Sequence, residues 1–194
     1  MITTSHAVIN AAIDKRFRRG PSHVDSLRIA IVAGGLAPDV ALYLLNLGTL
    51  IYYPLVDGMS FGAAHDRAMY DLYFNSTWWI VAHNLLHAPL LLSALYAGAA
   101  LLAGEWKRRV RYFAVGALLH SLIDVVVHHD DGPLVLFPFS LSIRFTSPVS
   151  YWDPDHYGWI FRPFDLAVTI AGIIWLARWW RSRHQASSEQ TVSA

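Results

Sequence analysis

Hydrophobic and polar positions divide the chain into long apolar runs and polar joints. Leu27 to about Pro54 is apolar apart from Arg28, Asp39 and Asn46. That is long enough as a helix to cross a hydrocarbon core of about 30 Å. A second apolar run goes from Trp78 to about Ala103, a third from Tyr112 to about His128, and a fourth from Phe164 to about Trp180. Between them, residues 55–77 form a polar loop or short helix and residues 104–111 a short basic turn. Residues 129–163 are rich in Pro, Asp and aromatics and too polar to span, so they read as a long loop of the kind that serves as a lid. Residues 1–26 carry Lys15-Arg16-Phe17-Arg18-Arg19 closed by Gly20-Pro21, and read as a segment lying on the membrane surface. Residues 182–194 read as a disordered polar tail. The expectation is an all-α, polytopic membrane bundle of about four transmembrane helices, with the transmembrane domain over residues 27–181.

Composition agrees with this reading. Hydrophobic residues make up 55% of the 194 residues, charged residues 15%, and the formal net charge is +1. Such a chain is too apolar for an ordinary soluble domain, and its charge argues against nucleic acid as a partner. Membrane lipids are the expected surroundings. The first apolar run starts too late and runs too long for a cleavable signal core. Of the 15 Lys and Arg, only Arg67, Arg144 and Arg162 fall on one side of the four-span arrangement. The positive-inside rule therefore predicts cytoplasmic termini and outward-facing long loops. Trp78, Trp79, Trp106, Trp179 and Trp180 stand at span ends, as an aromatic belt would place them.

The ionisable residues inside the spans carry the candidate chemistry, because they are costly there and are usually present for function. At about 1.5 Å rise per residue, Asp39 lies about 18 Å from the cytoplasmic edge, His87 about 16 Å, His83 about 22 Å, His120 about 13 Å and Asp124 about 19 Å. Three spans thus bring imidazole and carboxylate groups to one level. There are no cysteines, so a metal would be held by nitrogen and oxygen donors, which suits zinc first and also iron or manganese. The expected metal ligands are His83, His87, His120 and Asp124, with Asp39 as ligand or general base and Asp124 as a second candidate catalytic carboxylate. Tyr43 and Asn46 share the helical face of Asp39 and are candidates to support it by hydrogen bonds. His128 falls nearer the outer surface, and His129, Asp130 and Asp131 form a rim that caps the helix, completes a second site or contacts substrate. The Gly34-Gly35 pair reads as a close helix-packing point rather than a phosphate loop.

Gly35-Leu-Ala-Pro38-Asp39, His83-Asn-Leu-Leu-His87, His120-Ser-Leu-Ile-Asp124, Gly132 and Pro138-Phe139-Ser140 follow one another in an order and spacing that resembles the bacterial inner-membrane metal-dependent hydrolases typified by YdjM. Two segments depart from that family's pattern: Val40, Ala41 and Leu42 follow Asp39 where the family often continues with further ligands, and the central histidine segment is one residue shorter and lacks its Arg, Thr and Ser. The resemblance implies a metal-assisted hydrolase of the bacterial inner membrane. Depth implies a lipid or other amphiphilic substrate, since a site about 10 Å below the surface is hard for a water-soluble polymer to reach. Other readings of the same residues are a metal or proton transporter, a di-iron membrane oxygenase, and a structural subunit whose buried polar groups only join helices.

Overall fold

Asp25 starts the first long apolar helix: its carboxylate accepts the amides of Leu27 and Arg28 at 3.1 and 2.9 Å, two of the donors that a helix start leaves without a partner. In the computed structural model, which describes residues 1–17 and 25–192 and side chains to Arg181, this helix is α2, Ser26–Val56. The described residues are helical throughout apart from turns and loops: α1 Thr3–Phe17, α2, α3 Phe61–Asp66, a π-helical turn Arg67–Leu72, α4 Tyr73–Asn75, α5 Thr77–Asn84, α6 Pro89–Gly98, α7 Gly104–Val127 and α8 Gly158–Val192. Three are long and apolar enough to cross a membrane: Ser26–Val56, Gly104–Val127 and Gly158–Arg181. A fourth crossing exists if Thr77–Asn84 and Pro89–Leu101, bent by 45°, count as one span.

α2 and α7 form the central pair, and small residues let them meet. A Cβ on Gly34 would lie 2.2 Å from Phe113 O, and one on Gly116 would lie 2.1 Å from Ile31 O. Backbones this close need glycine on both helices, so the Gly34-Gly35 pair is a packing point, as expected.

Four boundaries differ from the sequence reading. Residues 104–111 are the first turns of α7 rather than a separate basic turn. α8 begins at Gly158, and its backbone stays helical to Val192, through most of the segment expected as a disordered tail. The second apolar run is broken at residues 85–88 instead of continuous; Pro89 cannot donate to the helix and disfavours helical backbone at Ala88 before it. Most consequential, α1 is part of the helix bundle, where a segment lying apart on a membrane surface was expected. It packs against α2, α7 and α8 with Ser5, His6, Asn10 and Asp14 buried. Arg18, Arg19, Gly20 and Pro21 of the basic cluster lie outside the described residues.

α1 buries a polar stripe because its partners offer polar atoms. Asn10 donates to Ile31 O and Gly116 O, both at 3.0 Å, joining α1 to each member of the central pair. Asp14 pairs with Arg28 at 2.7 Å, the Ser5 and Thr169 hydroxyls meet, and Asp165 of α8 accepts the Ile2 amide at 2.9 Å. The aromatic belt also divides: Trp78, Trp106 and Trp180 are exposed, whereas Trp79 is buried beside Ala68 and Tyr73. The long loop folds back onto the helices, with Leu134 and Phe137 packed on Ile80 and Ala88.

Candidate metal centre

Two helices, α2 and α7, and the break between α5 and α6 contribute one or two side chains each to a single point. Asp39 comes from α2, one residue after Pro38. His87 sits in the break between α5 and α6, where the lost helical pattern leaves its carbonyl free to accept the Ser121 hydroxyl of α7. His120 and Asp124 lie one turn apart on α7, on the buried stripe that also contains Ala114, Ala117 and Val127. One ligand atom from each of Asp39, His87, His120 and Asp124 can be chosen so that all four lie within 4.8 Å of one another. Four atoms bonded tetrahedrally to one zinc at about 2.0–2.2 Å are about 3.4 Å apart, so holding an ion would require the widest pairs of this group to close by about 1 Å.

Hydrogen bonding sets the tautomer of His120. Its Nδ1 donates to Gly35 O at 2.8 Å, which leaves the Nε2 lone pair facing the cluster. That Nε2 lies 3.1 Å from Asp124 Oδ2 and 3.5 Å from Asp39 Oδ1. It is buried with no hydrogen-bond partner of good geometry. Buried polar atoms are nearly always satisfied, and a lone pair left in this way fits a cation shared with the neighbouring carboxylates.

Asp124 is the hub. Its Oδ2 faces His87 Nε2 and His120 Nε2, each at 3.1 Å. Its Oδ1 faces the Met1 nitrogen at 2.9 Å, His6 Nε2 at 3.0 Å and His128 Nε2 at 3.6 Å. Asp39 is more open, with its side chain 13% exposed against 3% for Asp124. The Thr3 hydroxyl donates to Asp39 Oδ2, and Tyr43 Oη meets Thr3 Oγ1 at 2.9 Å. Tyr43 therefore supports Asp39 through Thr3 rather than directly. Asn46 joins neither: its buried Oδ1 has no partner.

His83 falls outside the group of four. Its ring is buried 4.5 Å from that of His87, but its Nε2 meets Tyr73 Oη at 3.3 Å. The break explains the exclusion, because residues 83 and 87 share a face only while the helix is continuous. His128 and Asp131 do form a rim: His128 Nδ1 and Asp131 Oδ1 are 2.9 Å apart, and Trp152 Nε1 donates to Asp131 Oδ2 at 2.9 Å. Burial would raise the Asp131 pKa, yet the His128 hydrogen bond holds it below the usual carboxylate range. Burial opposes charge on His128 too, but its bonds to Asp124 and Asp131 raise its pKa. His129 turns away, its Nδ1 donating to Ser147 O at 2.6 Å and its ring stacking on His156 at 3.5 Å, and Asp130 is exposed.

His6 is the site residue that the sequence reading did not single out. Its ring is fully buried, stacks on His120 at 3.7 Å and brings Nε2 to Asp124. Both of its nitrogens lack a hydrogen bond of good geometry, so it stands beside the four as a fifth donor and the third nitrogen. The spacing His6, Asn10, Asp14 was the available signal, since three polar residues four apart make one helical stripe. Comparisons with protein-family models, curated proteins and solved structures give no match to this chain.

Proposed function

We propose that this chain is a membrane-embedded, metal-dependent hydrolase, with zinc as the metal and a lipid or other amphiphile as substrate, and with a site that opens toward the non-cytoplasmic side. The observation that carries the reading is the convergence of Asp39, His87, His120 and Asp124 around a buried His120 Nε2 that faces two carboxylates without a hydrogen bond of good geometry. These donors are the nitrogen and oxygen ligands that zinc takes when thiolates are absent. A bound zinc would supply a Lewis acid and a water acidified toward neutrality.

The chain's own groups then have separate tasks. His87 and His120 present neutral nitrogens, the latter oriented by Gly35 O. Asp124, surrounded by His6, His87, His120 and His128, holds the rings in place and has no oxygen left for a mobile proton. Asp39 is the better proton acceptor, being the most exposed of the four, with the Thr3 hydroxyl fixing one oxygen. The apolar walls would keep bulk water from the reacting bond, which strengthens each electrostatic contact.

Elemental analysis of the purified protein tests this directly. Wild type is expected to hold zinc stoichiometrically and His120→Ala and Asp124→Ala to lose it, while a lipid-extract hydrolysis assay shows activity in wild type alone. Iron in place of zinc favours the oxygenase; metal without hydrolysis favours a transporter. Wild type free of metal after purification in metal-replete medium would overturn the proposal.

A further inference from the structure

The loop after α7 contains an uncharged stretch, Pro133-Leu-Val-Leu-Phe-Pro-Phe-Ser-Leu-Ser-Ile143, in a connection otherwise rich in Asp and His. Its inner side is anchored. Leu134 and Phe137 are buried against Ile80 of α5 and Ala88 in the break before α6, and the Leu134 amide donates to Asn84 Oδ1 at 2.9 Å. The stretch therefore reaches the level of the candidate broken span instead of standing clear of it. Its outer side is bare: Phe139 is 86% exposed, and Leu136, Leu141, Ile143 and Phe145 are also exposed. No described helix covers them, although each is large and apolar, and they cluster within ten residues.

The backbone is suited to a medium without water. An amide lacking a partner is expensive in an apolar environment, and several of the amides here bond within the protein. Val135 N donates to Ile143 O at 3.2 Å, and Phe139 N and Ser140 N donate to Leu136 O at 2.9 and 3.3 Å. Ser142 N and Ile143 N donate to Ser140 Oγ at 3.3 and 3.2 Å. Arg144 ends the stretch by turning its guanidinium back to Gly132 O and over the Tyr73 ring, 5.3 Å from its centre.

We infer that residues 136–145 are a membrane-inserted finger whose exposed side chains sit among the acyl chains of the outer leaflet. The occupant of this face is lipid, for two reasons. The anchoring contacts put the stretch beside a candidate span, and its exposed side chains are as apolar as the exterior of that span. An aromatic such as Phe139 pointing outward at this level gains apolar burial only from lipid. The inference does not depend on metal chemistry. It would give an amphiphile a path to the site from within the bilayer, since Arg144 at the root of the finger lies over Tyr73, whose hydroxyl touches His83.

The absence of cysteine makes the test direct. Phe139→Cys and Leu141→Cys are each spin-labelled in the otherwise full chain, reconstituted in phosphatidylcholine vesicles, and compared with Asp155→Cys in the exposed part of the same loop. Oxygen, which partitions into lipid, should relax the labels at 139 and 141 more strongly than a water-soluble nickel chelate, with the order reversed at 155. Nickel accessibility at 139 and 141 equal to that at 155 puts the finger in water and overturns the inference. Protection from both reagents means that protein covers the face, in a second copy of the chain, and overturns it equally. Two label positions guard against one substitution that disturbs folding.

Discussion

Asp124 has five partners for two oxygens, drawn from three parts of the chain: Met1 and His6 at its start, His87 in the break before α6, and His120 and His128 one turn to either side. Removing a ligand differs from removing a neighbour. Replacing His6 with Ala leaves the four ligand atoms in place but deletes the ring that stacks on His120 and faces Asp124. Metal affinity is expected to fall by about 10–100-fold, the usual effect of a supporting residue at a metal site. His83→Ala, whose Nε2 faces Tyr73, should leave zinc stoichiometry unchanged. Competition with a chromophoric chelator measures both, and an equal loss in the two variants would contradict the separation of His83 from the four. At the rim, signs can be assigned to pH. The pKa of Asp131 is depressed, so its contribution is present above its unfolded value of about 3.8 and is lost as pH falls through the lower folded value. The His128 pKa is raised, so its contribution is complete below about 6.5 and is lost as pH rises through the higher folded value. The metal-free protein should therefore hold the His128–Asp131–Trp152 contact most firmly from about pH 4 to 6.5. Hydrogen exchange across residues 128–152, followed against pH in wild type and in Asp131→Asn, would show that window in wild type only.

The central helix pair sets how accurately those residues meet. A Cβ at Gly116 would press on the Ile31 carbonyl, which is backbone and cannot turn aside. Gly116→Ala is expected to cost about 1–3 kcal/mol, the usual range for overpacking, and to weaken metal binding as α7 is pushed from α2. Gly48 on α2 has open space around its Cβ position, so Gly48→Ala should be neutral or slightly stabilising through helix propensity. Thermal unfolding in detergent compares them; equal stability would mean that the two backbones are not held in contact. These elements also mark what a sequence can disclose. The α7 stripe was legible because its period, Ala117, His120, Asp124, survives in an uninterrupted helix. α1 was not, because polarity was taken as a sign of exposure. In a bundle whose outside faces lipid the polar stripe turns inward, and His6 went in with it. The break at residues 85–88 was hidden by its apolarity, with only Pro89 to mark it, and so His83 and His87 were both expected as ligands on one continuous span.

At the scale of the whole molecule, the helices place their basic ends together. Lys15 and Arg16 end α1, Arg28 begins α2, Lys107 to Arg111 begin α7, and Arg178 and Arg181 lie in the last described part of α8. The Arg28–Asp14 pair ties the first two at that end, whereas Met1 lies deep, against Asp124 and His128. α1 thus runs from the site toward the basic end, antiparallel to α2, with Ser5 and His6 in the interior. Charge asymmetry of this kind is what fixes orientation on insertion, so the basic end is expected in the cytoplasm and the loop of residues 129–157 on the far side. A membrane-impermeant maleimide applied to intact cells should label Asp155→Cys at once and Glu105→Cys only after permeabilisation. Both positions are exposed, so slow labelling reflects the barrier and not burial. The reverse pattern would turn the molecule over, put the His128–Asp131 rim in the cytoplasm, and require the substrate to reach the metal-binding group from that side.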